Sequence, residues 1–496
     1  MARANGGLGD WTFDAAAWGA RTLGGIDPIR RRLADRMEAR LRARADHPAP
    51  ALRHPPAIEQ DKAALALALL QMAERALAER RLGRPALRAL LKTLFAGVLV
   101  HRGDATAKQR FRARHGTGAP DFLAISPGKA CNLRCEGCYA NSGEHGEKLA
   151  FATVDRLVRD AHDNWGSRFF VLTGGEPFAW REGGRGVLEL AERHGDCFFI
   201  AYTNGTLVDD VLARRLGAVG NLSPVLSVEG MRERTDARRG RGVFDKVVAA
   251  AERLGQEGVL FGMSLTATRE NADEVLSDPV LETFVDRLGA LYAFVFHYMP
   301  IGRASLERMM TAEQRMRLYE RVWSLIRERH LFVLDFWNGA TGSNGCVAAG
   351  RPGGYFHVNW NGDVSPCVFC PWSPVNVRDV YEAGGTLDDA WAHPFFAAIR
   401  RWQREYGYRE SHEPCGETHD WIAPCLIRDH HADFERLVAP GGVLPTDADA
   451  RAAQADPAWH EGLRQFDREF QALADPVWER VYLRSPGVPP GPMRRY

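Results

Sequence analysis

Apolar positions follow two different rhythms along this chain. Residues 1–118 contain no convincing strand, and their apolar residues recur at helical spacing. The stretch IRRRLADRMEARLRARA is strongly basic. Two more, AALALALLQMAERALAERR and PALRALLKTLFAGVLVHR, put apolar residues on one face with Arg and Lys around them. Such helices either pack against the rest of the protein or lie on a lipid surface. The proline-rich HPAPALRHPP separates the first helical block from the second.

From residue 121 the rhythm changes. Continuous apolar runs predict strands at 122–126, 168–173, 197–203, 224–229, 260–267 and 294–299. Helical segments are expected between and after them, at 153–165, 185–194, 208–217, 243–256, 273–288 and 312–328. Apolar strands of this kind suit a parallel sheet covered by helices. Six βα units are too few to close an eight-stranded barrel, so the fold expected is α/β, an open partial (β/α)6 barrel of TIM type. In such folds chemistry gathers at the C-terminal ends of the strands. Polar motifs do follow the strands: CNLRCEGC the first, Gly174-Gly175-Glu176-Pro177 the second, Asn204 in TNGT the third, Ser227 and Glu229 the fourth, Thr266 and Thr268 the fifth, and His297, Tyr298 and Arg303 the sixth.

Composition alters this picture little, but charge distribution does. The 496 residues carry a net charge of +1. Residues 1–120 hold 22 basic and 11 acidic residues, the remainder 42 and 52. A basic N-terminal part favours an anionic partner or is a solvated helical face. The opening MARANGGLGDWTFD lacks the apolar core of a secretory signal, and no apolar run approaches a membrane span. A cytoplasmic location is expected, with membrane association if the basic helices touch lipid. There, nine cysteines read as thiols or metal ligands.

Cys131, Cys135 and Cys138 have the spacing C-x3-C-x2-C. Three thiolates on one short loop converge on an iron–sulfur cubane and leave one iron open. A structural zinc site would need a fourth ligand, for which His145 is a candidate. With GGEP after the second strand, this loop resembles the radical S-adenosylmethionine (SAM) superfamily over about residues 121–330. The resemblance implies a [4Fe–4S] cluster on the three cysteines, SAM chelating its open iron, and reductive cleavage of SAM to a 5′-deoxyadenosyl radical that takes hydrogen from a substrate C–H bond. An electron donor such as ferredoxin or flavodoxin is implied as well. Many members carry an aromatic residue just before the third cysteine; this chain has Gly137 there and Tyr139 just after, so adenine contacts are expected from Tyr139 or elsewhere.

Other residues at the strand ends are candidates for binding the cofactor. Gly174 and Gly175 allow close backbone approach, Glu176 can accept from an ammonium group, and Pro177 fixes the turn. In the superfamily this segment binds the amino group of SAM. Asn204 is either a turn former or a ribose contact. Ser227 and Glu229 resemble positions that touch the ribose or the methionine carboxylate, although a strand-end carboxylate also serves as a helix cap. TDARRGRGVF reads as a glycine-rich loop whose Arg238, Arg239 or Arg241 could grip a carboxylate in two parallel hydrogen bonds, with Arg239 the expected contact. Met299 and Ile301 offer apolar surface to an adenine or belong to the core.

Five further cysteines follow residue 340: Cys346, Cys367, Cys370, Cys415 and Cys425. Cys346 and Cys367 stand in C-x15-G-x4-C around the turn NWNG, which predicts a β-hairpin between YFHVN and DVSPC. This resembles the SPASM/twitch extension of radical SAM enzymes. Five cysteines ligate one cubane and cannot fill two, so one auxiliary [4Fe–4S] cluster is expected on Cys346, Cys367 and Cys425, with Cys415 or Cys370 as fourth ligand; a zinc site is the rival. Cys197, in CFFIAY, reads as a buried thiol. The domains expected are a helical basic region (1–118), a radical SAM core (119–335), an auxiliary-cluster domain (336–435) and a helical tail (436–496) with a disordered end.

The function expected is therefore that of a radical SAM enzyme, an oxidoreductase in the broad sense, modifying a peptide, a protein or a lipid. Peripheral membrane contact through the N-terminal helices is an accompanying expectation, and no nucleic-acid partner is expected. The alternative is a non-catalytic iron–sulfur electron carrier or a zinc-binding interaction protein, which would need no SAM site.

Overall fold

The computed structural model describes residues 27–46, 54–95, 103–303, 305–408, 418–439 and 442–483. Six parallel strands appear where the apolar runs placed them: β1 (Phe122–Ile125), β2 (Phe169–Leu172), β3 (Phe198–Thr203), β4 (Leu222–Val228), β5 (Gly262–Ala267) and β6 (Ala293–His297). Because side chains alternate across a strand, each sheet residue has one of two fates. Leu123, Phe170, Phe199, Met263 and Val295 point into the core shared with the outer helices. Phe122, Phe169, Ile200, Ser264 and Phe294 face the barrel interior.

The sheet is larger than expected. A seventh parallel strand, β7 (Val333–Asp335), pairs with β6. The expected hairpin forms as β8 (Tyr355–Val358) and β9 (Asp363–Ser365), with His357 opposite Ser365. It does not stand apart: β8 pairs in parallel with β1, Phe122 beside Tyr355, and the two-residue strand Val375–Asn376 pairs with β9. The result is one ten-stranded open sheet. This pairing carries the second cysteine set to the barrel edge that bears the first.

Helices at Val243–Gln256 and Ala312–Glu328 fall where the periodicity put them. An unexpected helix, Arg232–Arg239, includes the first half of the segment read as a glycine-rich loop. Its C-terminal glycine, Gly240, follows Arg239 at φ 113°, a conformation that glycine adopts without strain.

The N-terminal helices pack on the barrel. Ala86 and Leu87 of Arg84–Leu90, with Ala76 of Ala57–Ala78 and the intervening Leu82, form a cluster with Phe198, Ile200, Val225, Leu260 and Tyr292. They plug its N-terminal end, where the strands begin. Two backbones touch there: Gly83 N donates to Gly258 O at 2.8 Å, and a Cβ on Gly258 would lie 2.6 Å from Gly83 N. Asp61, 1% exposed, accepts from Arg327 and from the Tyr482 hydroxyl. Among the described residues, much of the apolar surface of these helices is thus buried within the protein, although Leu69 is exposed; residues 96–102 of the second apolar stretch lie outside the described residues. Among the described residues no helix is long and apolar enough to cross a membrane.

The segment read as a C-terminal tail is helical, but its main helix is part of the core. Pro457–Trp478 buries Trp459, Leu463, Phe466, Phe470, Ala474 and Trp478 and packs on Ala312–Glu328. The final residues, 484–496, lie outside the described residues, as do the start of the chain and most of HPAPALRHPP.

Candidate functional site

The inward-facing strand residues enclose a cavity of about 230 Å³. Its wall is largely aromatic, with Phe122, Phe169, Tyr202, Phe294, Phe296, Phe336 and Tyr355. Its polar end is formed by the loops after the strands and holds Cys131, Cys135, Cys138, Glu176, Asn204, Ser227 and Arg239.

The three cysteines sit on a loop tied down by its own backbone and by arginines, Arg303 foremost, with Arg238 donating to Glu136 O (3.2 Å) and Arg308 to the Glu136 carboxylate (2.8 Å). Cys131 N donates to Gly143 O (2.8 Å), and Asn141 N donates to Cys138 O (3.0 Å). Arg303 donates to Cys135 O (3.1 Å), Asn141 Oδ1 (2.8 Å) and Ser142 O (3.0 Å). Gly137 is required rather than tolerated. Its φ is 60°, and a Cβ there would lie 2.5 Å from Cε2 of Tyr298. The Tyr298 ring, from the end of β6, fills the space beside the third cysteine and lines the cavity.

The donor set fits a cubane better than zinc. Sulfurs around a tetrahedral zinc with 2.3 Å bonds lie roughly 3.8 Å apart. Among the described residues no three cysteine sulfurs come within 4.8 Å of one another, which suits the wider spread of a four-iron cluster. His145 pairs with Glu147 (3.6 Å). Burial pushes the Cys131 thiol up to about 11, so metal loading must expel its proton.

The GGEP segment packs on this loop. Gly175 N donates to Gly128 O (3.0 Å) and Glu176 N to Ala130 O (2.9 Å). A Cβ on Gly175 would lie 2.5 Å from Lys129 O, so this glycine allows close approach of the chain to its own cysteine loop. The Glu176 carboxylate is 2% exposed and accepts from Thr203 Oγ1 (2.7 Å), Asn204 N (2.8 Å) and Phe178 N (3.1 Å). Burial raises its pKa. It ties β2 to β3, with fewer lone pairs left for an ammonium than expected. Pro177 opens the short turn Pro177–Ala179.

Asn204 is a turn former: its Oδ1 accepts from Thr206 N (2.9 Å) and Thr206 Oγ1 (2.7 Å). Its amide nitrogen faces Asn132 Oδ1 (2.9 Å) and the Cys131 sulfur (3.7 Å). Tyr139 donates to or accepts from Thr173 Oγ1 (2.8 Å) and accepts from Gly174 N (3.3 Å) while lining the cavity. Met299 and Ile301 both belong to the core, and Met299 also lines the cavity.

The expected role of Glu229 needs correction. It does not line the cavity; Arg238 and Arg239 stand between. Its Oε1 accepts from Arg238 Nη1 (2.6 Å) and from Arg239 Nε (2.8 Å) and Nη2 (2.5 Å), while Oε2 is buried without a partner. Arg239 thus sits on a helix, fixed by a carboxylate behind it. Its Nε and Nη2 are the atoms that donate to Glu229, and the residue lines the cavity. Phe369 is a cavity residue not expected from the sequence, and Arg238 and Tyr298, offered by the sequence as a loop arginine and a strand-end residue, line the cavity with it.

The second cysteine set converges at the barrel edge. Cys346, Cys367, Cys370 and Cys425 are buried or partly buried. Burial raises each thiol, and mutual repulsion of their charges adds to it for Cys367, Cys370 and Cys425, which rises to about 12. Cys370 is thus placed with the three cysteines expected to hold the auxiliary cluster; Cys415, the other candidate for fourth ligand, lies outside the described residues. Cys425 N donates to Asp429 (3.1 Å), itself locked by Arg315 at 2.6 and 3.0 Å.

The two cysteine sets are joined by rings. Phe369, between Cys367 and Cys370, projects into the cavity and meets Tyr139 (5.6 Å between centroids), Phe296 (5.8 Å) and Trp337 (5.0 Å). Trp337 lies beside Cys425 and stacks on His297 at 5.0 Å. Arg428 can only donate, so its contact with His297 Nδ1 (3.2 Å) makes that nitrogen the acceptor and puts the proton on Nε2, facing Asp335 (3.0 Å). Burial pushes His297 down to about 4, so it is a neutral wall residue.

Comparison with known proteins gives an independent view. A family model described as the Radical SAM superfamily matches residues 125–277, and SPASM, an iron-sulfur cluster-binding domain, matches 346–417. The mycofactocin maturase MftC of Mycolicibacterium smegmatis is 27% identical over 312 residues, 60% of this chain and 74% of that protein. The Fe-coproporphyrin III synthase of Methanosarcina barkeri is 27% identical over 207 residues, 40% of this chain; the match spans 49% of the synthase. SuiB of Streptococcus suis, solved with its precursor peptide SuiA, superposes with a TM-score of 0.50 at 18% identity, covering 69% of this chain and 83% of SuiB. That likeness shows the shared fold.

Proposed function

From the premise that this chain belongs to the radical SAM superfamily and carries a SPASM-type iron–sulfur extension, we propose that it modifies a peptide by removing a hydrogen atom from an apolar or aromatic side chain held in the barrel cavity. The observation that carries this reading is the position of that cavity. The Cys131–Cys138 loop bounds its polar end, and Phe369 of the second cysteine set enters from the other side.

In the proposed arrangement Cys131, Cys135 and Cys138 hold a [4Fe–4S] cluster. When bound and reduced, that cluster supplies the electron that splits SAM into methionine and a 5′-deoxyadenosyl radical, which takes hydrogen from a substrate C–H bond. The chain's residues orient the reactants. Arg239 presents its guanidinium to a carboxylate, and Ser227 and Thr266 present hydroxyl groups beside it. Tyr298 and Met299 offer ring and thioether surface to an adenine. The aromatic wall excludes water from the reacting atoms. Cys346, Cys367, Cys370 and Cys425 together would occupy every iron of an auxiliary cluster, leaving no vacant position for direct substrate ligation. Electron transfer through the Phe369 and Trp337 contacts is therefore the role assigned to that end.

Similarity to maturases supports a peptide substrate. A lipid is the second reading, favoured by the apolar cavity and by Arg31, Arg32, Arg36, Arg40 and Arg42, exposed on the helix Asp27–Asp46. Turnover with perdeuterated peptide extract, and separately with perdeuterated lipid extract, discriminates them. Deuterium in 5′-deoxyadenosine is expected from the peptide fraction. Transfer from lipid alone would replace the peptide reading.

A further inference from the structure

Away from the cavity, two histidines and a glutamate meet in an arrangement that hydrogen bonding alone leaves incomplete. His431 and Glu435 lie one turn apart on the helix His431–Val438, so they share a face. His460 comes from the first turn of Pro457–Trp478. His431 Nε2 and His460 Nδ1 are 2.9 Å apart, and Glu435 Oε1 is 3.1 Å from His460 Nδ1. All three atoms lie within 4.8 Å of one another.

The outer nitrogens settle the tautomers. His431 Nδ1 contacts Ile427 O at 2.7 Å, and His460 Nε2 contacts Gln454 O at 3.0 Å. A carbonyl only accepts, so each outer nitrogen carries a hydrogen. In neutral rings the two facing nitrogens then both present lone pairs, with a carboxylate oxygen beside them. Something positive belongs between them. A single proton on His460 serves one of its two neighbours at full geometry, whereas a divalent ion binds all three donors at once. His431 is fully buried, so its facing nitrogen has no access to solvent. Each histidine donating its far N–H to a carbonyl is also the usual outer support of a metal-bound imidazole. Arg464 holds Glu435 Oε2 at 2.7 Å and turns Oε1 inward.

We propose that His431 Nε2, His460 Nδ1 and Glu435 Oε1 form a binding site for a divalent transition-metal ion, separate from both cysteine sets. Two imidazoles and a carboxylate select the borderline class, zinc, nickel or ferrous iron, over magnesium or calcium. Partial exposure of His460 and Glu435 leaves room for water in the remaining positions. The ion would staple the helix that follows Cys425 to the helix whose Trp459 Nε1 donates to Pro300 O (2.8 Å), next to Met299. It would thus join the two cysteine-bearing ends of the cavity mechanically.

The test uses the full chain without a histidine tag, with both cysteine sets loaded by anaerobic reconstitution, titrated with zinc ion against a chromophoric chelator. One additional zinc per chain is expected, with a nitrogen/oxygen shell at about 2.0–2.1 Å and no sulfur in zinc-edge X-ray absorption. His460→Gln should lose that zinc, and Glu435→Gln should bind it roughly tenfold or more weakly, both with unchanged iron content. Equal zinc uptake by wild type and both variants, a sulfur shell, or no zinc uptake by wild type would overturn the site. The last outcome would mean that a shared proton fills the gap.

Discussion

Replacing Gly137 by alanine probes the contact that shapes the cysteine loop. Two costs can be separated. Alanine at φ 60° loses roughly 1 kcal/mol relative to glycine in the left-handed region. The added Cβ would sit 2.5 Å from Tyr298 Cε2 and 2.7 Å from its hydroxyl oxygen. Tyr298 is 3% exposed, and its hydroxyl accepts from Ser305 N (3.0 Å). The ring therefore cannot retreat freely, and overpacking of this kind costs about 1–3 kcal/mol. A combined 2–4 kcal/mol on the arrangement of the loop corresponds to roughly 30- to 1,000-fold less of the competent form. SAM affinity of the reduced protein, followed by electron paramagnetic resonance, should fall by that order. In the Tyr298→Ala background, where the loss of the ring's own contact with SAM cancels, Gly137→Ala should cost only the backbone part, giving a coupling of about 1–3 kcal/mol in the double-mutant cycle. If Gly137→Ala binds SAM as wild type does, or if removing the ring relieves nothing, the packing argument is wrong.

Three further outcomes are expected. Leu87→Ala should destabilise the chain by about 2–5 kcal/mol in denaturant unfolding, because Leu87 plugs the barrel; a residue serving only a lipid surface would change stability little. Cys370→Ser should remove about half the iron after reconstitution while Cys415→Ser keeps it, and equal loss in both would return Cys415 to the ligand set. Asp429 is buried, which alone would raise its pKa, but Arg315 and Arg428 outweigh burial and hold it well below the ordinary range. Its contribution is therefore present above about pH 4 and is lost as pH falls through the depressed value. Asp429→Asn should destabilise by about 3–5 kcal/mol near neutrality, with a flatter acid limb in the pH dependence of the denaturation midpoint.

Much of this fold is legible in local patterns. Strands such as FFVL and FFIAYT are apolar on both faces because helices cover one side and the cavity wall forms the other. Their ends carry the polar motifs because that is where the loops converge. What local pattern does not encode is pairing between distant segments. Nothing near Tyr355 signals that β8 will lie parallel to β1, yet that one pairing sets the distance between the two cysteine sets. The same holds for side chains. Glu229 was a plausible ligand contact from its strand-end position, and only the helix Arg232–Arg239 reveals that two arginines intercept it. Gly137 and Tyr298 are 161 positions apart, so the glycine looked like a departure from the superfamily pattern rather than space for a ring. A hint did exist for Phe369: an aromatic residue between two close cysteines must project either into protein or into solvent.

The most direct test of the account titrates SAM into the anaerobically reconstituted, reduced full chain and records the electron paramagnetic resonance signal together with 5′-deoxyadenosine release. The account expects the signal of one cluster to change on SAM addition and the nucleoside to appear, with both effects lost in Cys135→Ser while the auxiliary signal persists. A spectrum indifferent to SAM, with no nucleoside formed, would contradict it.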